Sequence, residues 1–286
     1  MVPYLRRARP AVHLPGAPQG RQTQQLLPAG EPQRIGPVLP GSHAGIAATG
    51  RRTGRRVAAM PEPTQRAASK RMREPAAPRL AASLTVAHLP EHDLEDDGGY
   101  RSLEFRNLDL SARRVEGADF EGCRFVGTKL AGGRMRQAAF SDVELVQCDA
   151  SNLKAGVSGM HRARVQDSRM TGTAWTESTF REVVFDTCRA ELAGFRFSTF
   201  KHVVFRDCAL VEADFQDAEL ANVRFEGCDL SGAEFSNARM NHTKFSDCVL
   251  LGIRGVGSFR GATIGGRDAQ GLVYALAGAM GITIED

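Results

Sequence analysis

Five of the six cysteines, Cys148, Cys188, Cys208, Cys228 and Cys248, are separated by multiples of twenty residues. If twenty residues make one coil of a regular stack, these thiols form a column with Cα atoms about 4.8 Å apart, within disulfide or soft-metal reach. Their surroundings argue for packing instead. Equivalent positions elsewhere hold Ala, Val and Ser, buried thiols behave as small apolar groups, and no two cysteines have the close spacing of a zinc site. His202 and His242 fall in one column with Asn222 between them. They would lie about 10 Å apart, too far to share an ion. Carboxylate pairs such as Asp119 and Glu121 occupy outward positions, and Gly132-Gly133 and Gly265-Gly266 lack the strand-to-helix context of a phosphate loop. There is no nucleophile elbow. The expectation is a chain with no catalytic residues, no metal ligands and no cofactor.

The element that would position these side chains is set by a five-residue period. From Phe105 to Leu250 there are 30 positions at that spacing; 27 are large and apolar, and the others are Ala150, Ala155 and Ala190. Thirteen of the 15 phenylalanines sit in this phase. Two residues earlier runs a second column, in which 26 of 30 residues are Ala, Cys, Val, Ser, Thr or Gly. Its exceptions are Leu103, Leu108, Arg113 and Leu153; Leu153 precedes the undersized Ala155, which reads as a volume exchange. A helix would scatter every fifth residue around its surface, and a straight strand would flip faces after five. A chain that turns a corner each five residues closes a square after four, and the twenty-residue recurrence of cysteine, valine and alanine marks its sides. The pattern predicts a parallel β-solenoid of about seven coils, roughly 35 Å long, whose open ends need covering.

Composition divides the chain near residue 90. All 13 prolines lie at or before Pro90. Residues 1–90 carry 14 Lys+Arg against 3 Asp+Glu, net +11, and residues 91–286 carry 23 against 30, net −7. The first segment reads as a disordered basic tail, since it has too little periodic apolar surface to offset its ordering entropy. A basic binding arm, a transit peptide and a start assigned too early, with Met60 or Met72 the true beginning, are its three explanations. Residues 91–264 read as the solenoid and 265–286 as a C-terminal element. No apolar run is long enough for a membrane helix, and the cysteine usage suits a reducing cytoplasm.

Segments such as Ala118-Asp119-Phe120, Ala213-Asp214-Phe215, Ala218-Glu219-Leu220 and Cys228-Asp229-Leu230 resemble the A(D/N)LXX consensus of the pentapeptide-repeat superfamily. The resemblance implies an all-β fold, a right-handed quadrilateral parallel β-helix. The C-terminus is similar to that of many actinobacterial members. Phe259 and Ile264 continue the centres after a one-residue slip; Asp268 is placed to cap a helix containing Leu272, Val273, Leu276 and Met280, Gly281 ends it, and Ile282-Thr283-Ile284 follows as a short strand. In gyrase-inhibiting relatives a comparable element covers the last coil and dimerises, so these four apolar residues are candidate cap or dimer contacts.

Surface charge gives the remaining functional signal. Residues 205–250 hold 9 acids and 4 bases, and Glu212, Asp214, Asp217, Glu219, Glu226, Asp229 and Glu234 form the candidate interaction surface. The expected function is a non-enzymatic rod that presents a surface to an unidentified protein partner. One alternative, implied by the resemblance, is a DNA mimic that binds DNA gyrase and protects it from quinolone-type inhibitors. The other is a purely architectural, self-associating element. The β-helix is not expected to bind nucleic acid directly, since its net charge is negative.

Overall fold

The computed structural model describes residues 72–285. The alternatives for a tail or a misplaced start up to residue 71 lie outside the described residues.

Successive coils stack in parallel with a twenty-residue register: Phe125 pairs with Leu145, Leu145 with Val165, Phe185 with Phe205, and Phe205 with Phe225. Four walls result. Wall A carries the centres Phe105 to Phe245, wall B those from Leu110, wall C those from Val115, and wall D those from Phe120. The solenoid has about nine turns rather than the seven expected. Both ends continue past the unbroken phase: Thr85–Val86 pairs with Leu103 and Glu104, an eighteen-residue step, and Ala262–Ile264 pairs with Thr243 to Phe245, a nineteen-residue step. Both steps are shorter than twenty, so neither rung keeps the strict count of five; the C-terminal one is the slip that carries Ile264.

Inside, the centres form ladders. Phe185, Phe205, Phe225 and Phe245 stack face to face with centroid separations of 4.7, 5.0 and 4.9 Å and interplanar angles of 6° or less. Phases are reset at the second residue after each centre, which takes a left-handed conformation; Asn107, Asp167, Asp207 and Asp247 have φ between 48° and 55°. Asn, Asp and Gly recur there because other side chains in this region cost about 1–2 kcal/mol. The corners are unequal. Walls D and A run together as continuous eight-residue strands such as Thr199–Arg206, whereas the other corners close tighter turns such as Ala213 N–H to the Leu210 carbonyl, 3.0 Å.

The column two residues before each centre has its own logic. Ser198 donates its hydroxyl to the Trp175 carbonyl (2.6 Å) and accepts the Ser178 amide (3.0 Å). Thr128 and Thr243 donate in the same way to Phe105 and Leu220. Arg113, the one charged member, leans out to pair with Asp93 at 2.8 Å, while Leu153 and Ala155 are both buried.

Each end is covered. Tyr100 stacks on Phe120 (4.9 Å) and donates its hydroxyl to the Asp93 carbonyl. Phe259 stacks on Phe245 at 5.3 Å, and the helix Ala269–Ala279 buries Leu272. Gly281, at φ 72°, ends that helix: its amide bonds to Gly278, and the Ile282 amide reaches back to Ala277, the paired closure of a Schellman motif. Two expectations are corrected here. Asp268 precedes the helix but itself has helical dihedrals and makes no side-chain cap bond. Ile282-Thr283-Ile284 is not a strand, because no neighbouring rung pairs with it.

The boundary at residue 90 also moves. Residues 72–84, read as tail, lie along wall A outside any helix or strand, bend at Ala82 and Ser83, and feed into the first rung at Thr85. The Arg79 amide donates to Asp142 (2.9 Å), the Ala76 amide to Glu182 (2.8 Å), and Arg224 donates to the Met72 carbonyl (2.9 Å). Proline is excluded from the ladders but suits this strap, which makes no ladder bonds.

Candidate interaction surface

The interior is packed with side chains and offers no ligand chamber. The thiol column belongs to it. Cys188, Cys208, Cys228 and Cys248 are buried and unlinked, each lying within 3.3–3.6 Å of the centre carbonyl in the preceding coil, the role serine and threonine play elsewhere. Burial pushes the Cys148 thiol up to about 11, so it is held protonated. Among the described residues, no group of three His, Cys, Asp or Glu side chains could hold a metal ion. His202 and His242 are corner residues at φ 55° and 52°.

The outward walls carry the predicted acids. The seven predicted acids do not make one face. Asp214 and Glu234 are neighbours on wall C, with Glu212 and Asp217 at its two edges, but Glu219 lies on wall D, Glu226 on wall A and Asp229 on wall B. Several are already engaged. Glu219 pairs with Arg239 (2.6 Å), Glu226 with Arg224 (2.9 Å) and Arg206 (3.1 Å), Glu234 with Arg254 (2.9 Å), and Asp214 with Arg196 (3.7 Å). Asp229 accepts both the amide and hydroxyl of Ser231. Burial of Glu234 disfavours its charge, yet bonds from Ser236 and Arg254 outweigh that and hold its carboxyl below the usual range. Internal pairing removes much of the negative field a DNA mimic would present.

The sequence pattern missed a different surface. Phe197 and Leu192 flank wall C at its two corners and are 52% and 58% exposed; Val157, two coils earlier in the Phe197 column, is 42% exposed. All three have left-handed φ of 57–58°, where a bulky or branched side chain is strained. The Arg196 guanidinium lies 5.7 Å from the Phe197 ring centroid. Between the corners the wall is smooth, with Ala174 beside Gly194 in register. Along the same column Arg114, Arg134 and Lys154 precede this strip, and Asp214, Glu234 and Arg254 follow it, the last two paired with each other. One signal was available: with Phe259, Phe197 is one of the two phenylalanines outside the five-residue phase.

The family model for pentapeptide repeats matches eight copies in this chain, over residues 104–152, 193–227 and 208–247. These segments are pentapeptide repeats. The family model passes over residues 153–192, where Ala155, Trp175 and Ala190 replace the usual centres, yet the rungs of this pentapeptide-repeat solenoid continue there, with Lys154 bridging to Ala174 and Ala174 to Gly194. Among solved structures, the chain is similar to QnrB1, a plasmid-mediated fluoroquinolone resistance protein, at 20% identity over 71% of this chain and 100% of that one, with a TM-score of 0.27. It is also similar to HetL, involved in heterocyst differentiation regulation in the cyanobacterium Nostoc sp. strain PCC 7120 (14% identity, 59% and 85% coverage, TM-score 0.29). A third is Rfr23 from the cyanobacterium Cyanothece 51142 (11% identity, 61% and 94% coverage, TM-score 0.16). No curated protein matches the chain.

Proposed function

We propose that this protein is a non-enzymatic interaction module, a rigid rod that docks a protein partner on wall C. The observation that carries the reading is the exposed pair Leu192 and Phe197 beside the smooth Ala174–Gly194 strip. Large apolar side chains at strained, solvated corners contribute nothing to the core, and aromatic anchors of this kind dominate protein interfaces. The test is recovery from native extract with the full chain and with Leu192→Glu/Phe197→Glu. A partner retained by the first and lost by the second supports the reading; equal recovery overturns it.

A second reading keeps DNA gyrase as the partner, through the acidic last coils of a dimer joined at the C-terminal helix. Its support is that Val273, Leu276 and Met280 point away from the solenoid, at 50%, 46% and 74% exposure, while of the four predicted contacts Leu272 alone is buried, on the side where Ala275 and Ala277 also pack. A supercoiling assay decides it. Inhibition or quinolone protection that disappears in Asp214→Lys/Asp217→Lys/Glu234→Lys supports gyrase binding, and no effect from the unaltered protein removes it. Light scattering on Leu276→Glu/Met280→Glu reads the dimer, and with it the self-associating alternative.

A further inference from the structure

The strap of residues 72–84 matches the solenoid it lies on in a way that defines a binding site. Asp142 and Glu182 occupy the same corner column between walls D and A, forty residues and thus two rungs apart. Two rungs span about 9.6 Å. The amides they accept, from Arg79 and Ala76, are three residues apart. Three residues of polyproline II cover about 9.3 Å, and three of α-helix about 4.5 Å. The strap thus carries one donor per polyproline turn and the solenoid one acceptor per two rungs.

The sequence suits that geometry. Pro75 and Pro78 immediately precede the two donors, fixing φ where no amide is needed and leaving the amide that follows free to bond. The site is completed by Arg224, on wall A in the coil two beyond that of Glu182, whose guanidinium reaches the carbonyl of Met72, four residues before Ala76, and the Glu74 carboxylate (2.9 and 2.5 Å). Glu182 also takes the Arg73 guanidinium. Between these anchors Val204, an outward position, is only 2% exposed. Asp142 and Glu182 are 8% and 5% exposed. Asp142 also keeps a two-point pair with Arg162 of the solenoid, whereas the partners of Glu182 among the described residues, the Arg73 guanidinium and the Ala76 amide, both come from the strap, so Glu182 is the carboxylate that most needs a ligand there.

We propose that this corner of wall A is a docking track for proline-containing extended segments, with residues 72–79 as its ligand in cis. The partner is a segment with prolines three residues apart, an amide following each proline, and a carboxylate just before the first. Recognition runs through main-chain donors on a row of acids rather than through an aromatic groove. The proposal concerns a different wall from the Leu192 and Phe197 surface, and its outcome is independent of that reading.

The test uses the full chain and a fluorescent peptide of residues 72–84. Ala76→Pro/Arg79→Pro in the chain keeps the strap extended but deletes both donors, opening the track. Anisotropy should show this variant binding the peptide at least tenfold more tightly than the unaltered chain, whose own strap competes at high effective concentration. Adding Asp142→Asn/Glu182→Gln to the variant, or using a peptide with the same two prolines, should abolish binding. Equal binding to both chains, or none to the opened variant at about 1 mM, overturns the proposal. If the opened variant fails to fold by circular dichroism, hydrogen exchange on the unaltered chain decides the matter instead. Unlabelled peptide in excess must then deprotect the Ala76 and Arg79 amides of the chain, and unchanged protection overturns the proposal.

Discussion

Phe205 and Phe197 are eight residues apart, one on wall A and the other at the corner between walls C and D, and replacing each with alanine should give opposite results. Phe205 is 1% exposed and stacks between Phe185 at 4.7 Å and Phe225 at 5.0 Å, with Phe195, Phe200 and Phe215 around it at 6.0–6.2 Å. A buried Phe→Ala change costs about 3–5 kcal/mol, and each aromatic pair adds about 0.5–1.5 kcal/mol beyond area, so Phe205→Ala should fall near 4–5 kcal/mol. That is a third or more of an ordinary domain's stability. Phe197→Ala removes a half-exposed ring and one guanidinium contact, and should stay within about 0.5 kcal/mol. Phe197→Gly should range from neutral to about 1 kcal/mol stabilising, as the left-handed corner loses its Cβ strain. Guanidinium unfolding of the full chain at 25 °C measures all three, followed by far-ultraviolet circular dichroism and by the fluorescence of Trp175, the one tryptophan. A cost for Phe197→Ala equal to that of Phe205→Ala, or a cost below about 1 kcal/mol for Phe205→Ala, would refute the assignment of inside and outside to the five-residue phase.

Ser198→Ala should cost about 1–3 kcal/mol in the same titration, because it strands the buried Ser178 amide and the Trp175 carbonyl, while Cys208→Ser, which keeps a donor for the Phe185 carbonyl, should cost less than about 1.5 kcal/mol. The Asp142 carboxyl is held below the usual range by the Arg162 guanidinium foremost, against the opposing effect of burial, and further by the Arg79 amide and the charges of Arg162 and His161. A depressed folded-state pKa stabilises above the unfolded value of about 4 and is lost as pH falls through the folded value, so stability measured from pH 5 to pH 2 should drop in the native chain and flatten in Asp142→Asn. With all six thiols buried, a thiol reagent at pH 8 should label none of them until the protein unfolds; rapid labelling of Cys148 would contradict its protonated, enclosed state.

The interior was legible because every fifth side chain repeats one physical task, filling a wall, and the residue two before it repeats another. The surface was not legible in the same way. A five-residue step moves each acid to the next wall, so Asp214, Glu219 and Asp229, close in sequence, face three directions. Phe197 broke the phase and was visible as an exception, but its exposure depends on the corner it occupies. The strap was hidden because its order comes from partners 63 to 152 residues away, Asp142, Glu182 and Arg224, while its composition reads as tail. Asp268 and the segment Ile282-Thr283-Ile284 failed for a local reason: a capping residue and an alternating pattern still need a free amide and a neighbouring rung.

The square cross-section separates two kinds of length change. Duplicating or deleting five residues within the stack leaves every centre and every small companion facing inward, so the packing survives, yet everything downstream is carried a quarter turn around the axis. Where the change falls between them, Asp142 and Glu182 would sit on different edges and could no longer serve the same strap, and the column of wall C would be cut in two. Changes of twenty residues keep every column on its own edge. The surface of such a rod therefore has a counting rule four times stricter than its interior, and a single added repeat can reassign what each side offers without disturbing stability.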